Sequence, residues 1–247
     1  MSPTNIALLI LAGVGIMAAA AYFIQMYENR KKEQQLRLMH LQAVIRRAHH
    51  LLANYPPLLQ SPEIIKFLTL YLSQRCKAAL ELEASENLEK ILTETQDRSE
   101  SPMETPAHPE GSLTLFKTPN DAQRARAIIK EFVKFLKEIE AKGELSAAAS
   151  GTMVQHAKHS FERTEIDLEL QEAVVTEEIN DGKRSFNTYK KCFIRLSDLN
   201  KNHLLDRQLF ELRNRMNRLA EYIERKAEEE KERRRKEEEE ANKFGFK

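Results

Sequence analysis

Residues 205–223 read LDRQLFELRNRMNRLAEYI, and within them Leu205, Leu209, Leu212, Met216, Leu219 and Ile223 recur at 4-3-4-3-4 spacing. That alternation holds six apolar side chains on one stripe of an α-helix, the heptad pattern of a helix that packs against another. It is the cleanest seam in the chain, and it reads as a partner seam in a helical fold. Beyond it, residues 224–240, ERKAEEEKERRRKEEEE, keep no apolar face. Opposite charges four residues apart support a solvated helix, so 224–247 is read as a charged helical tail ending in Phe244-Gly245-Phe246.

Upstream, Asp198-Leu199-Asn200-Lys201-Asn202 opens like a calcium loop. The pattern fails where calcium is strictest: His203 stands where glycine should permit the sharp turn, and Leu209 stands where a bidentate glutamate should close the shell. A polar turn between helices is the better reading. Residues 183–203 carry six basic residues against one acidic, with Phe186, Tyr189, Phe193 and Leu196 at helical spacing. Aromatics confined to one side mark a core face. The competing reading of this basic helix is a tether for nucleic acid, but no recognised nucleic-acid module accompanies it, and nucleic acid is not expected as a partner.

Residues 144–182 reverse the balance, with nine acids against two bases. Their helix, predicted from about Gly151 to Asn180, turns Phe161, Ile166, Leu170, Ala173 and Val174 inward, and Asp181-Gly182 leads into the basic helix. The two oppositely charged neighbours are expected to pair. His156 and His159 share one face with Glu162, yet a metal needs further ligands from another helix, so no metal is assigned. Thr118-Pro119 with Asp121 has helix-start chemistry; Ile129, Phe132, Leu136 and Ile139 form the stripe, and Gly143 is the stop. Four helices over 118–223 with short connections make an antiparallel bundle.

Residues 95–117, rich in Pro, Ser and Glu, lack periodicity and read as a linker. Before it, 26–94 reads as a juxtamembrane helical hairpin. Its first helix carries a second partner seam at Leu38, Leu41 and Ile45, continued by Ala48 and Leu52, and Tyr55-Pro56-Pro57 stops it. Ser61-Pro62-Glu63 starts the next, whose face is Ile64, Ile65, Leu68, Tyr71, Leu72, Cys76, Ala79 and Leu80.

Ile6 to Ile24, IALLILAGVGIMAAAAYFI, is an unbroken apolar run of nineteen residues. As a helix it spans roughly 28 Å, the thickness of a bilayer's hydrocarbon. Arg30, Lys31 and Lys32 follow it, and no cation precedes it, the reverse of a cleaved signal. The expectation is a membrane anchor over 6–25 with a short extracytoplasmic tail, 1–5, and a cytoplasmic body. The same cations can touch anionic headgroups.

Composition narrows the function. The chain of 247 residues is 41% apolar and 31% charged, with seven glycines and no tryptophan. Cys76 and Cys192 are far apart and read as packed thiols. Phosphate loops, nucleophile elbows and triads do not appear, so no catalytic residue and no cofactor is assigned. The reading is all-α: a single transmembrane helix, a juxtamembrane hairpin and an antiparallel bundle with a long, charged, coiled-coil-like last helix. The expected function is a non-enzymatic, membrane-anchored scaffold or adaptor that recruits proteins through its helical seams and self-associates. Its architecture parallels that of bacterial inner-membrane division or envelope-assembly proteins, which favours that membrane. The alternative function is the nucleic-acid tether through 183–203.

Overall fold

The computed structural model describes the backbone of residues 3–100, 108–179, 182–201 and 203–243; for 3–16, 18–20 and 241–243 only the backbone is described. Among these residues lie seven α-helices and no strand: α1 (Pro3–Asn54), α2 (Pro62–Leu80), α3 (Glu86–Glu100), α4 (Pro119–Ala141), α5 (Ala147–Glu178), α6 (Gly182–Leu199) and α7 (Asp206–Lys243). They form two compact units, Met1–Ala53 with Ile64–Pro102, and Asn54–Glu63 with Met103–Lys247. The all-helical expectation holds.

In the first unit α1 buries Leu41, Ile45, Ala48 and Leu52, the predicted stripe, with Leu38 half-buried. Proline at Pro62 opens α2, which buries Ile64, Leu68, Leu72, Cys76 and Ala79. The buried Thr69 hydroxyl donates to the Ile65 carbonyl 2.9 Å away, so this core leaves that polar group satisfied. Helix α3 was not anticipated. Its apolar content is thin, yet Leu88 and Thr95 are buried, Glu86 and Glu89 sit in the first turn, and Arg98 sits in the last. Those charges complement the helix dipole. Helical structure therefore continues to Glu100, where a linker was expected from residue 95. Residues 101–107, with Pro102 and Pro106, lie outside the described residues.

The second unit is a meander in which α4 packs on α5, α5 on α6, and α6 on α7. Each pair is antiparallel: Arg126 meets Glu165 while Glu140 meets Ser150, and Arg195 meets Glu165 while Arg184 meets Glu172. Thr118 caps α4 as predicted, its hydroxyl oxygen accepting from the Asp121 amide at 3.2 Å. Gly143 follows α4 at φ 73°, a conformation that costs a side-chain-bearing residue strain. Ser146 caps α5, which begins at Ala147, four positions before the expected start near Gly151. The core joins Ile166, Leu170 and Ala173 of α5, Tyr189, Cys192 and Leu196 of α6, and Leu212 and Leu219 of α7, with Leu205 just ahead of it. In the same unit Tyr55 meets Phe132 edge-on, ring centres 5.6 Å apart.

No helix among the described residues is long and apolar enough to cross a membrane. The expected anchor falls largely on residues whose side chains lie outside the description.

Candidate functional site

The predicted seams are used within the chain. Leu205, Leu212 and Leu219 are buried in the bundle core, and Leu209, Met216 and Ile223 pack against it. A heptad stripe reads the same whether its partner belongs to the same chain or another. Here α5 and α6 supply packing for all six, with Leu209, Met216 and Ile223 left half-buried. Leu41 and Ile45 are likewise buried in the first unit. Arg30, Lys31 and Lys32 lie exposed on α1; Ile24 is exposed too, and Ile6 lies among residues without described side chains.

The acidic and basic helices pair as charge patterning implied. Arg195 reaches Glu165 at 3.0 Å and Glu169 at 2.7 Å, Lys191 reaches Glu169 at 3.1 Å, and Arg184 reaches Glu172 at 3.5 Å. The Tyr189 hydroxyl donates to Glu177 at 2.9 Å, and Arg215 of α7 approaches the same carboxylate at 2.9 Å. Three of the cations that gave 183–203 its basic character are thereby engaged with carboxylates, while Lys183 and Lys190 remain exposed.

The calcium-like segment is a capped turn. The Leu205 amide donates to the Asn200 side-chain oxygen at 2.8 Å, and His203 adopts φ 58°. Asn202 lies outside the described residues. Among the described residues no cluster of three or more His, Cys, Asp or Glu could hold a metal ion. Both cysteines are free and buried, and burial pushes the Cys76 thiol up to about 11 and Cys192 to about 12. Such thiols are poor nucleophiles.

What the structure brings together is a cleft of about 250 Å³ within the second unit. One wall is a face of α5 on which His156, His159, Ser160 and Arg163 follow one another at helical spacing. The others come from Leu58 to Ser61, from His108 and Leu115, and from the α6–α7 turn with Leu199, Asn200, Leu204 and Leu205. Ser160 donates to the Leu59 carbonyl at 3.3 Å, tying α5 to the 55–61 turn. No residue lining the cleft is acidic.

The wall containing His108 exists because residues 108–117, expected to be flexible, are strapped to the bundle. Asp167 of α5, fully buried, accepts from the backbone amides of Leu115 and Phe116 and from Gln171. Gln208 of α7 donates to the Leu113 carbonyl at 3.0 Å, and Arg207 pairs with Glu110 at 2.7 Å. The backbone amides of an isolated loop are met by water; here a carboxylate replaces it. Burial pushes the Asp167 carboxyl up to about 6, against the pull of those donors and of Arg163. Burial also brings Arg163 down to about 10, with Asp167 acting the other way.

His108 donates from Nε2 to the Ser112 carbonyl at 2.6 Å, because a carbonyl can only accept. Its Nδ1 and the Nε of Arg163 are buried without a hydrogen-bond partner among the described residues. Of the histidines in the cleft, the sequence marks His156 and His159 alone as a candidate pair. The full polar row at 156, 159, 160 and 163 was the available signal on α5, whereas His108 lies some fifty residues away in an apparent linker. Comparisons with protein-family models, curated proteins and solved structures find nothing that matches this chain.

Proposed function

We propose that this chain is a single-pass, non-enzymatic membrane adaptor: α1 anchors it through the run 6–24, and its helical units hold partner proteins on the cytoplasmic side. The observation that carries this reading is the continuity of α1, one helix from Pro3 to Asn54 that joins the apolar run to the buried stripe at Leu41 and Ile45. Where side chains are described on that run, they are bare: Tyr22, Phe23 and Ile24 are 64, 67 and 61% exposed. Contiguous apolar surface of this kind is favourable in lipid and unfavourable in water. The cations at Arg30, Lys31 and Lys32 support the orientation.

Because the heptad stripes are occupied within the chain, partner contact is assigned to apolar side chains left outside. These are Leu36 and Met39 on α1, Leu70 on α2, and Ile194 and Phe210 on α6 and α7. Self-association through the same residues is one form of that contact. The nucleic-acid alternative has weaker support, given the ion pairs that engage Arg184, Lys191 and Arg195.

The test uses the full chain with a carboxyl-terminal tag, expressed in cells and fractionated. The proposal expects the tag in the membrane fraction after alkaline carbonate, protected from external protease, and co-purifying with proteins lost on Leu36→Glu and Phe210→Glu. Release by carbonate, or digestion of the tag in intact cells, overturns the anchoring. Capture of no protein, or capture unchanged by both substitutions, overturns the adaptor role.

A further inference from the structure

The cleft beside α5 has a composition that anchoring and helix packing do not require. Side chains that fill a core are apolar or satisfied, yet here two buried nitrogens, His108 Nδ1 and Arg163 Nε, meet no hydrogen-bond partner among the described residues. An unsatisfied buried donor or acceptor is destabilising, and a ligand that satisfies it is bound more tightly for that reason. His108 is only 7% exposed and lines the cavity with Arg163 and Ser160. The carboxylates that act on its lining are not part of it: Asp167 is occupied by the 115–116 amides and Gln171, Glu211 accepts from the Gly111 amide, and Glu63 interacts electrostatically with His156. The same lining includes the apolar side chains of Leu58, Leu115, Leu199 and Leu204.

We propose that this cleft binds a small organic anion, a monocarboxylate carrying a compact apolar body, with the carboxylate against Arg163 and His108 and the body against the leucines. Size limits the ligand, since about 250 Å³ lies below the roughly 300–1,000 Å³ of sites for drug-sized molecules. A guanidinium with an open N–H matches a carboxylate better than a point charge does.

The proton state of His108 follows from its surroundings. Burial lowers its pKa, the Ser112 carbonyl opposes that, the charges of Arg163 and Arg207 lower it further, and Glu211 raises it. The free pocket therefore presents Nδ1 as a lone pair. An anion beside Arg163 offsets the cationic charge there, so Nδ1 gains a proton and donates to the ligand. Binding is accompanied by proton uptake and strengthens as the pH falls.

Equilibrium dialysis of the full chain in detergent, with labelled benzoate as the probe, tests this directly. Benzoate is expected to bind saturably at one site, about tenfold more tightly at pH 6 than at pH 8, while uncharged benzyl alcohol binds at least about tenfold more weakly. Arg163→Met, with folding checked by circular dichroism, is expected to reduce benzoate affinity at least about tenfold, because the charged partner is lost while the volume is kept. Should that variant fail to fold, Leu204→Glu places a carboxylate at an exposed lining position and is expected to weaken benzoate at low salt. Absence of saturable benzoate binding, equal binding of the alcohol, or unaltered affinity in a folded variant overturns the site. Tighter binding of inorganic phosphate than of benzoate overturns the apolar half of the assignment. A pH-independent affinity overturns the role of His108.

Discussion

Asp167 shows how much depends on one side chain. It replaces water for two amides in a segment that has no secondary structure of its own, and it pulls His108 and Leu115 to the bundle. Its carboxyl titrates near 6 when folded, against 3.8 ordinarily, so between those values the folded chain holds a proton that the unfolded chain has released. The burden of burying that charge is fully present above pH 6 and is relieved on acidification. Relative to Asp167→Asn, which does not titrate, the wild type is expected to gain about 1 kcal/mol of stability between pH 7 and pH 5. Urea melts of both proteins at the two pH values measure it, and an unchanged difference would refute the assignment. Nothing in the local sequence marks this residue, one of nine acids in its block. Thr118 and Gly143 were legible because caps act on their immediate neighbours. Asp167 acts across 52 positions, and such closure is invisible to spacing.

At the scale of elements, periodicity located every helix but α3, and it did not identify their partners. The stripe on α7 packs against α5 and α6, a pairing that spacing alone does not specify. Leu212→Ala is expected to cost about 3 kcal/mol in chemical denaturation, because it leaves a void in a fully buried core. Leu36→Ala, at a position 63% exposed, is expected to change stability by less than about 0.5 kcal/mol. Equal effects would mean that the stripe is not where the packing lies. Helix α3 escaped notice because so little of it is apolar: Leu88 and Thr95 are its buried residues. The end of α7 makes the converse point. Residues 224–240 are exposed throughout, held by i,i+4 pairs such as Arg234 with Glu230 at 3.1 Å. Truncation after Arg225 is therefore expected to leave the thermal midpoint of the bundle within about 2 °C, since exposed pairs of this kind contribute little. A larger loss would reveal packing by the tail.

Across the whole molecule, the opposite charges of the 144–182 and 183–203 blocks meet in part in the ion pairs of α5 with α6. A net charge of +1 thus conceals an arrangement that selects neighbours, and these pairs engage three of the six cations of 183–203. The class of fold was readable from the chain. The cleft was not, since it gathers residues from four separated stretches. One geometric fact has the widest reach. Between Tyr27 and Arg37 every side chain of α1 is exposed, so this part of the helix is a bare shaft. An α-helix transmits torque: one residue added to such a shaft swings everything beyond it by about 100° and advances it about 1.5 Å, whereas four added residues nearly restore the original heading. The exposed Leu36 and Met39 are thereby aimed by the count of residues in the shaft as much as by their identity, like the key of a lock set by the length of its stem.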